Sequence, residues 1–112
     1  MWVVEAAPGE VLANLVCFTR RDSPWWRIYS VVVHPSGRGK GHARRLMAAV
    51  SDAALRAGAA GLRLEVREDN AAARGLYAAL GFTVRGRRPG YYDDGAAAVQ
   101  LQRPFVAHER LA

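Results

Sequence analysis

The 112-residue sequence contains a single cysteine, so no internal disulfide can form. A lone cysteine is more often a small buried side chain than a nucleophile, and we predict that Cys17 is buried. The three histidines are His34, His42 and His108. They have no metal-ligand spacing among themselves or with Cys17, and the sequence therefore predicts a protein that uses no metal.

Long apolar runs are also missing. No stretch of about 18 apolar residues is present, so the sequence predicts no membrane-spanning helix. The first ten residues, MWVVEAAPGE, contain no basic segment followed by an apolar one, so we predict no signal peptide and a cytoplasmic location. The length is that of one domain, and 51% apolar residues are enough for a modest core.

Lysine is scarce, whereas arginine is abundant. Lys40 is the only lysine beside fifteen arginines, and the net charge is +6. Alanine and glycine are abundant as well, so a compositional bias of the source can explain this charge without any function. The other explanation is an anionic ligand or partner attracted by long-range electrostatics. Charge alone does not distinguish the two explanations.

The pattern of apolar residues predicts both strands and helices. Segments rich in Val, Ile, Leu and aromatic residues favour strands, and Leu62, Leu64 and Val66 alternate along one of them. Leu46 and Val50 fall on one face of a predicted helix. In chain order the predicted elements are strands over 10–20 and 27–35, a helix over 40–57, a strand over 61–67, a helix over 69–81, and strands over 82–88 and 96–102.

The predicted element order is β-β-α-β-α-β-β, which indicates an α/β (α+β) fold with a mixed, mostly antiparallel sheet. A strand–helix–strand crossover joins 27–35 to 61–67 and predicts a central parallel pair. Residues 21–26, RDSPWW, are interpreted as a hairpin loop. We expect one domain over 1–112, with 104–112 as a loose tail.

Three glycines and two cations fill positions 37–41, directly before a predicted helix. Glycine allows the backbone to approach a ligand closely, and the free N–H groups of a helix start favour an anion. The pattern predicts a phosphate-binding loop, with an ordinary Gly-rich turn as the alternative. It is not a Walker loop, because Lys40 is followed by Gly41. It is not a dinucleotide fingerprint either, because His42 or Arg44 occupies the place of the third glycine.

Two motifs in this sequence resemble those of the GNAT N-acetyltransferases. RGKGHA, residues 38–43, matches the pattern Arg/Gln-x-x-Gly-x-Gly/Ala, and Val33 and Pro35 fit the positions before it. LEVREDNAAARGLYAALGF, residues 64–82, matches a second signature at the expected distance. The resemblance covers about residues 27–103, and the sequence looks most like the RimI-type ribosomal-protein-alanine N-acetyltransferases. It implies the GNAT acyl-CoA N-acyltransferase fold, with the two parallel strands splayed apart.

The resemblance implies acetyl-CoA as co-substrate and an N-acetyltransferase activity. It makes Glu65 the general base and Tyr77 the general acid, and places Tyr91 and Tyr92 beside the acceptor. The residues implied in coenzyme binding are Val31, Val32, Val33, Arg38, Gly39, Lys40, Gly41, His42, Ala43, Arg44 and Asn70.

Each of these residues also has a structural interpretation. Glu65 can lie on a solvated strand face, Tyr77 can be a core aromatic residue, and Asn70 can serve only as a helix N-cap. His42 and Arg44 can contribute only backbone or general charge, and Tyr91 and Tyr92 can be hairpin packing. We expect Arg85, Arg87 and Arg88 to be solvated.

The implied acceptor is a primary amine, first of all the α-amino group of a protein N-terminus. The alternatives are a small amine such as a polyamine or aminoglycoside, and a non-catalytic acyl-CoA-binding module. A nucleic-acid partner is disfavoured because no reading motif is present. Members of this family have a first strand and one or two helices ahead of the strands predicted here, so we expect this chain to be shortened at its N-terminus, with one wall of the acceptor site missing or supplied by another subunit. The apolar surface that this exposes favours a homodimer.

Overall fold

The computed structural model describes residues 2–6, 13–33 and 41–106. Arg38, Gly39 and Lys40 of the predicted loop lie outside these described residues, as does most of the predicted tail. The strands and helices are β1 (Trp2–Ala6), β2 (Ala13–Arg20), β3 (Ser23–Val33), α1 (His42–Arg56), β4 (Gly61–Arg67), α2 (Ala71–Ala79), β5 (Thr83–Arg88) and β6 (Ala98–Pro104).

The strands form one six-stranded sheet in the order β1-β2-β3-β4-β6-β5. Every neighbouring pair is antiparallel except β3 and β4, which are parallel and joined through α1. The mixed, mostly antiparallel α/β class with a central parallel pair is therefore confirmed. The strand over 61–67 is found at its predicted bounds.

Both helices pack against one face of the sheet. Leu62, Leu64 and Val66 of β4 point to that face and are buried. On α1, residues such as Leu46 and Val50 meet them, and α2 adds partly buried side chains to the same cluster. Burying a side chain of this size contributes about 1.5–3 kcal/mol relative to its exposure. No described helix is long and apolar enough to cross a lipid bilayer.

The opposite face of the sheet carries the alternate residues of the same strands. Trp25 and Arg27 of β3 lie there, together with Arg63 and Glu65 of β4. We call this surface the open face, since within the described part of the chain no helix packs on it.

Two parts of the prediction are corrected at the N-terminal end. Residues Trp2–Ala6 form an additional first strand, which pairs antiparallel with β2. The segment is too short to show a period of its own, and its pairing with β2 defines it as a strand. The hairpin turn is confined to 21–22, and Ser23–Trp26 belong to β3. Pro24 lies in an irregular stretch of the β2–β3 ladder, where a missing N–H is tolerated.

The parallel pair separates partway along its length. β3 pairs with β4 only from Trp25 opposite Gly61 to Ile28 opposite Leu64. Beyond Ile28 it stays paired with β2 as far as Val33, and the ladder to β2 shifts register around Tyr29. A bulge bends a strand and increases its twist, so β3 turns away from β4 at this point. The expected splay is therefore present.

Candidate active site

A cleft of about 300 Å³ opens where β3 and β4 diverge. Val31 of β3, Glu65 of β4 and Tyr77 of α2 line it. Asn70, at the start of α2, and Tyr92, in the turn between β5 and β6, line it as well. The structure thus places the two candidate catalytic side chains, Glu65 and Tyr77, on the walls of one cleft.

A larger groove of about 660 Å³ adjoins this cleft and lies between the start of α1 and α2. Val31, Asn70 and Tyr77 line both spaces. The predicted coenzyme residues that line the groove are Val31, Val33, Gly41, His42, Ala43, Arg44 and Asn70. Val32 does not line it, and its side chain is exposed, as expected for an alternate strand residue.

The start of α1 suits an anion. Gly41 is the N-cap with φ 74° and ψ 16°, a left-handed conformation that a side chain would strain. No side chain caps the helix and no acidic residue lies in its first turn, so among the described residues its first N–H groups are open to a ligand. Arg44 and Arg45 add positive charge there. These features fit a pyrophosphate group.

His42 begins α1 and is buried, with 8% of its surface exposed. Its Nδ1 lies 2.6 Å from Nη2 of Arg45, so Arg45 donates and the ring proton is on Nε2. That Nε2 is buried and has no partner among the residues described. His42 is therefore a largely buried member of the groove lining, and its ring accepts a hydrogen bond from Arg45.

Asn70 caps α2 and also lines both the groove and the cleft. Its Oδ1 accepts a hydrogen bond of 3.1 Å from the backbone N–H of Ala73, which makes it the N-cap of α2. The side-chain amide group has two further donors. Because Asn70 also lines the groove and the cleft, these donors are available to a ligand while the cap is intact.

Tyr77 is half-buried and belongs to the core as well as to the cleft. Its ring packs edge-on against Phe82, with 5.6 Å between the ring centroids. Burial raises the pKa of Tyr77 above its ordinary value, because the phenolate would be poorly solvated there. The phenol is therefore protonated at neutral pH.

Glu65 is held by an arginine that the sequence analysis missed. Glu65 Oε2 accepts a hydrogen bond from Arg27 Nε at 3.2 Å, and Arg27 Nη2 lies 3.0 Å from the same oxygen. Arg27 Nη2 also donates to the hydroxyl of Tyr91 at 3.2 Å. The alternation of Trp25, Arg27 and Tyr29 with apolar residues in β3 was the available signal, since it predicts that they share a face.

The turn between β5 and β6 brings both tyrosines to the site. The rings of Tyr91 and Tyr92 pack edge to face with centroids 5.0 Å apart, and Arg67 lies over the ring of Tyr92 at 5.0 Å. Arg67 is fixed by Asp94 at 2.7 Å and Asp69 at 3.2 Å. Burial, above all, raises the pKa of Tyr92. The predicted acceptor-side residues therefore adjoin Glu65 and Arg27.

The three arginines of β5 that we expected to be solvated have distinct surroundings. All three are exposed, but Arg87 forms an ion pair with Glu68, and Arg88 lies 5.2 Å from the ring of Tyr91. Arg85 sits at an irregularity between Val84 and Gly86 in the β5–β6 ladder and lines a pocket on the open face.

The uncapped start of α1 lines a groove that adjoins the cleft between the splayed strands, and Glu65 and Tyr77 line that cleft. Residues 1–82 match the family model described as the acetyltransferase (GNAT) family, and the chain belongs to that family. It is 39% identical over 104 residues to the N-alpha-acetyltransferase RimI of Mycobacterium tuberculosis, covering 89% of this chain and 64% of that protein.

Solved structures share the fold. The ribosomal-protein-S18-alanine N-acetyltransferase of Escherichia coli superimposes with a TM-score of 0.80 at 30% identity, over 88% of this chain and 64% of that one. A NatC complex bound to a Gag peptide and CoA gives 0.81 at 27% identity, over 91% and 66%. The chain spans between 21% and 64% of the length of the curated relatives that it matches.

Proposed function

We propose that this chain is an acetyl-CoA-dependent N-acetyltransferase that acts on the α-amino group of a protein N-terminus. The observation that carries the proposal is the cleft at the β3–β4 divergence, where Glu65 and Tyr77 line the same space. Similarity to proteins named RimI and ribosomal protein bS18-alanine N-acetyltransferase supports the reaction type.

The groove between α1 and α2 is the proposed coenzyme site. When bound, acetyl-CoA supplies an acetyl thioester, which is an activated acyl group. The backbone N–H groups that follow Gly41 bind the pyrophosphate, and Arg44 adds charge. The side-chain amide of Asn70 donates a hydrogen bond to the pantetheine arm of the coenzyme. The edge of β3 beyond Ile28, which no longer pairs with β4, offers its backbone groups to the same arm.

Glu65 is the proposed general base. An amine attacks only in its neutral form, and the reference pKa of an α-amino group is about 8, against about 10.4 for lysine. An N-terminal amine is therefore partly neutral already near pH 7.5, and the carboxylate of Glu65 accepts the remaining proton directly or through water. Arg27 fixes the orientation of that carboxylate.

Tyr77 is the proposed general acid. The departing thiolate needs a proton, and the phenol of Tyr77 holds one at neutral pH, since the ordinary pKa of tyrosine is about 10 and burial raises the pKa of Tyr77 further. Glu65 and Tyr77 lie on different elements, β4 and α2, so proton acceptance and proton donation occur on separate walls of the cleft.

The open face disfavours a polycationic acceptor. Four arginines and one glutamate line its pocket, so a polyamine or an aminoglycoside would meet like charge there. Tyr92 lines the cleft together with Glu65, and Tyr91 packs against Tyr92, so the two rings provide aromatic surface for a peptide backbone and its first side chains.

The test is acetyl transfer to a peptide that begins with alanine, measured by thiol release and by mass spectrometry. The matched control is the same peptide with a blocked N-terminus and a free internal lysine. We expect acetylation of the first peptide alone, and a higher melting temperature with acetyl-CoA. Thermal stabilisation without transfer to any peptide or polyamine would instead identify a non-catalytic acyl-CoA-binding module.

A further inference from the structure

The open face contains a pocket of about 580 Å³ with a strongly positive lining. Its charged residues are Arg20, Arg27, Arg63, Arg85 and Glu65. Arg20 pairs with Asp22, and Arg27 pairs with Glu65. The other two arginines, Arg63 and Arg85, have no carboxylate partner among the residues that the structure describes.

Arg63 is held in place without being neutralised. Its guanidinium carbon lies 4.0 Å from the ring centroid of Trp25, and its Nε is buried with no hydrogen-bond partner in the described part of the chain. Burial, followed by the positive charge of Arg85, lowers the pKa of Arg63. A guanidinium that has no carboxylate partner gains from an anion placed in the pocket.

Arg85 reaches the same pocket because of the sheet geometry. The β5–β6 ladder shifts register between Val84 and Gly86, and Arg85 is the extra residue there. A bulge of this kind redirects a side chain. The side chain of Gln100 lies over Gly86 and lines the pocket beside Arg85, so it offers an amide group next to the arginines.

The pocket is continuous with the reaction site. Tyr29, Leu64 and Glu65 line both the pocket and the cleft between the splayed strands. A group bound by Arg63 and Arg85 would therefore belong to the molecule whose amine lies at Glu65. Trp25 and Phe18 add apolar surface, which suits a peptide.

We propose that the arginine pocket binds a carboxylate of the acceptor, so that the preferred acceptor is a peptide with Asp or Glu shortly after its free N-terminus. Arg63 and Arg85 are then the residues that determine specificity. This inference rests on the proposed function, because it names the acceptor class of the same site.

The experiment compares three peptides that differ only at position two, where they carry Glu, Gln or Lys after an N-terminal alanine. We expect kcat/KM for the Glu peptide to exceed that for the Gln peptide at least tenfold, mainly through KM, with the Lys peptide lowest. The preference should shrink at high salt because exposed charges are screened. Equal kcat/KM for the Glu and Gln peptides overturns the inference and leaves the proposed function intact.

Variants then assign the preference to the pocket. Arg63→Gln and Arg85→Gln should each reduce the Glu-to-Gln ratio of kcat/KM at least threefold. Arg56→Gln is the charge-matched control, since Arg56 lies at the end of α1 and pairs with Asp52. If Arg56→Gln reduces the ratio equally, the preference arises from net charge and not from this pocket. Arg85 is on the exposed edge strand, so its variant is usable even where Arg63→Gln fails to fold.

Binding of N-acetylated forms of the same peptides separates recognition from transfer. By calorimetry, the acetylated Glu peptide should bind at least tenfold more tightly than the acetylated Gln peptide. If this selectivity is found and no peptide is acetylated, the carboxylate site stands and the proposed function falls. If a single-stranded oligonucleotide binds through Arg63 and Arg85 and the Glu peptide does not, the pocket is a nucleic-acid site and the inference is wrong.

Discussion

Arg27 and Glu65 are 38 residues apart in sequence, yet Arg27 Nε lies 3.2 Å from Glu65 Oε2 across the only parallel strand pair that the described residues form. The pair stands beside the last ladder position before the strands diverge, Ile28 opposite Leu64. The arginine therefore orients the candidate base at the mouth of the cleft, and its second contact, to Tyr91, connects that base to the acceptor side.

Replacing Glu65 by glutamine should lower kcat/KM about 100-fold at pH 7, because an amide accepts no proton from the attacking amine. The difference in kcat/KM between the wild type and Glu65→Gln should be smaller at pH 9, because most of an α-amino group is already neutral there. Pre-steady-state and steady-state rates between pH 6.5 and 9 test this. A loss that stays constant across this range would remove Glu65 from the role of base.

Arg27 is a positioning residue, and its replacement should affect rate more than stability. We expect Arg27→Gln to lower kcat/KM about tenfold and Arg27→Lys to restore part of it. The Arg27 side chain is 49% exposed, which limits the value of the ion pair, but the Glu65 side chain is only 15% exposed and loses its partner in the variant. Urea unfolding should therefore show a loss on the order of 1 kcal/mol. A large loss of stability with unchanged kcat would indicate a purely structural residue.

Tyr77→Phe should lower kcat by about 100-fold and leave acetyl-CoA affinity within twofold, because the ring contact with Phe82 is retained. Burial raises the pKa of Tyr77, so its proton stabilises the folded state below the unfolded pKa of about 10, and this contribution is lost as pH rises above that value. The wild type should therefore lose more thermal stability than Tyr77→Phe between pH 9 and 11. Equal turnover of the two proteins would exclude Tyr77 as the acid.

Cys17 should be unreactive in the folded protein. It is fully buried in the core, and burial raises its pKa to about 11. Because the thiolate is the reactive form, iodoacetamide at pH 8 should modify the native protein at less than about 1% of the rate of the urea-unfolded chain. Rapid labelling of the native protein would show that β2 opens locally or that the thiol is accessible.

The sequence was sufficient where the determinants are local. The strand Gly61–Arg67 alternates cleanly, and α2 carries both its N-cap, Asn70, and a left-handed glycine after its end, Gly81, so these elements were predicted within two residues. The strand Trp2–Ala6 was missed because pairing with β2 defines it.

The candidate site was predictable only in part, because some of its contacts depend on the pairing of strands that are distant in sequence. Tyr77 and Glu65 are twelve residues apart in one motif, and the resemblance named both. Arg27 was not found, since its contact depends on the parallel register that sets it beside Arg63. The position of Arg85 in the open-face pocket depends on a bulge that no local pattern predicts.

The glycine before α1 provides a test of the coenzyme groove that is independent of catalysis. A Cβ on Gly41 would lie 3.4 Å from Arg45 Nη1, so space is adequate, but φ is +74°. Gly41→Val should therefore lower the free energy of unfolding by about 1–3 kcal/mol through backbone strain, and it should weaken acetyl-CoA binding at least tenfold. Asparagine tolerates this conformation, so Gly41→Asn should lower the stability less.

Gly75→Ala is the matched control, because a Cβ there meets nothing within 4 Å. It should stabilise α2 by about 1 kcal/mol without changing affinity. Calorimetric titration with acetyl-CoA tests all three variants, and full affinity in Gly41→Val would show that the carrier does not bind at the start of α1.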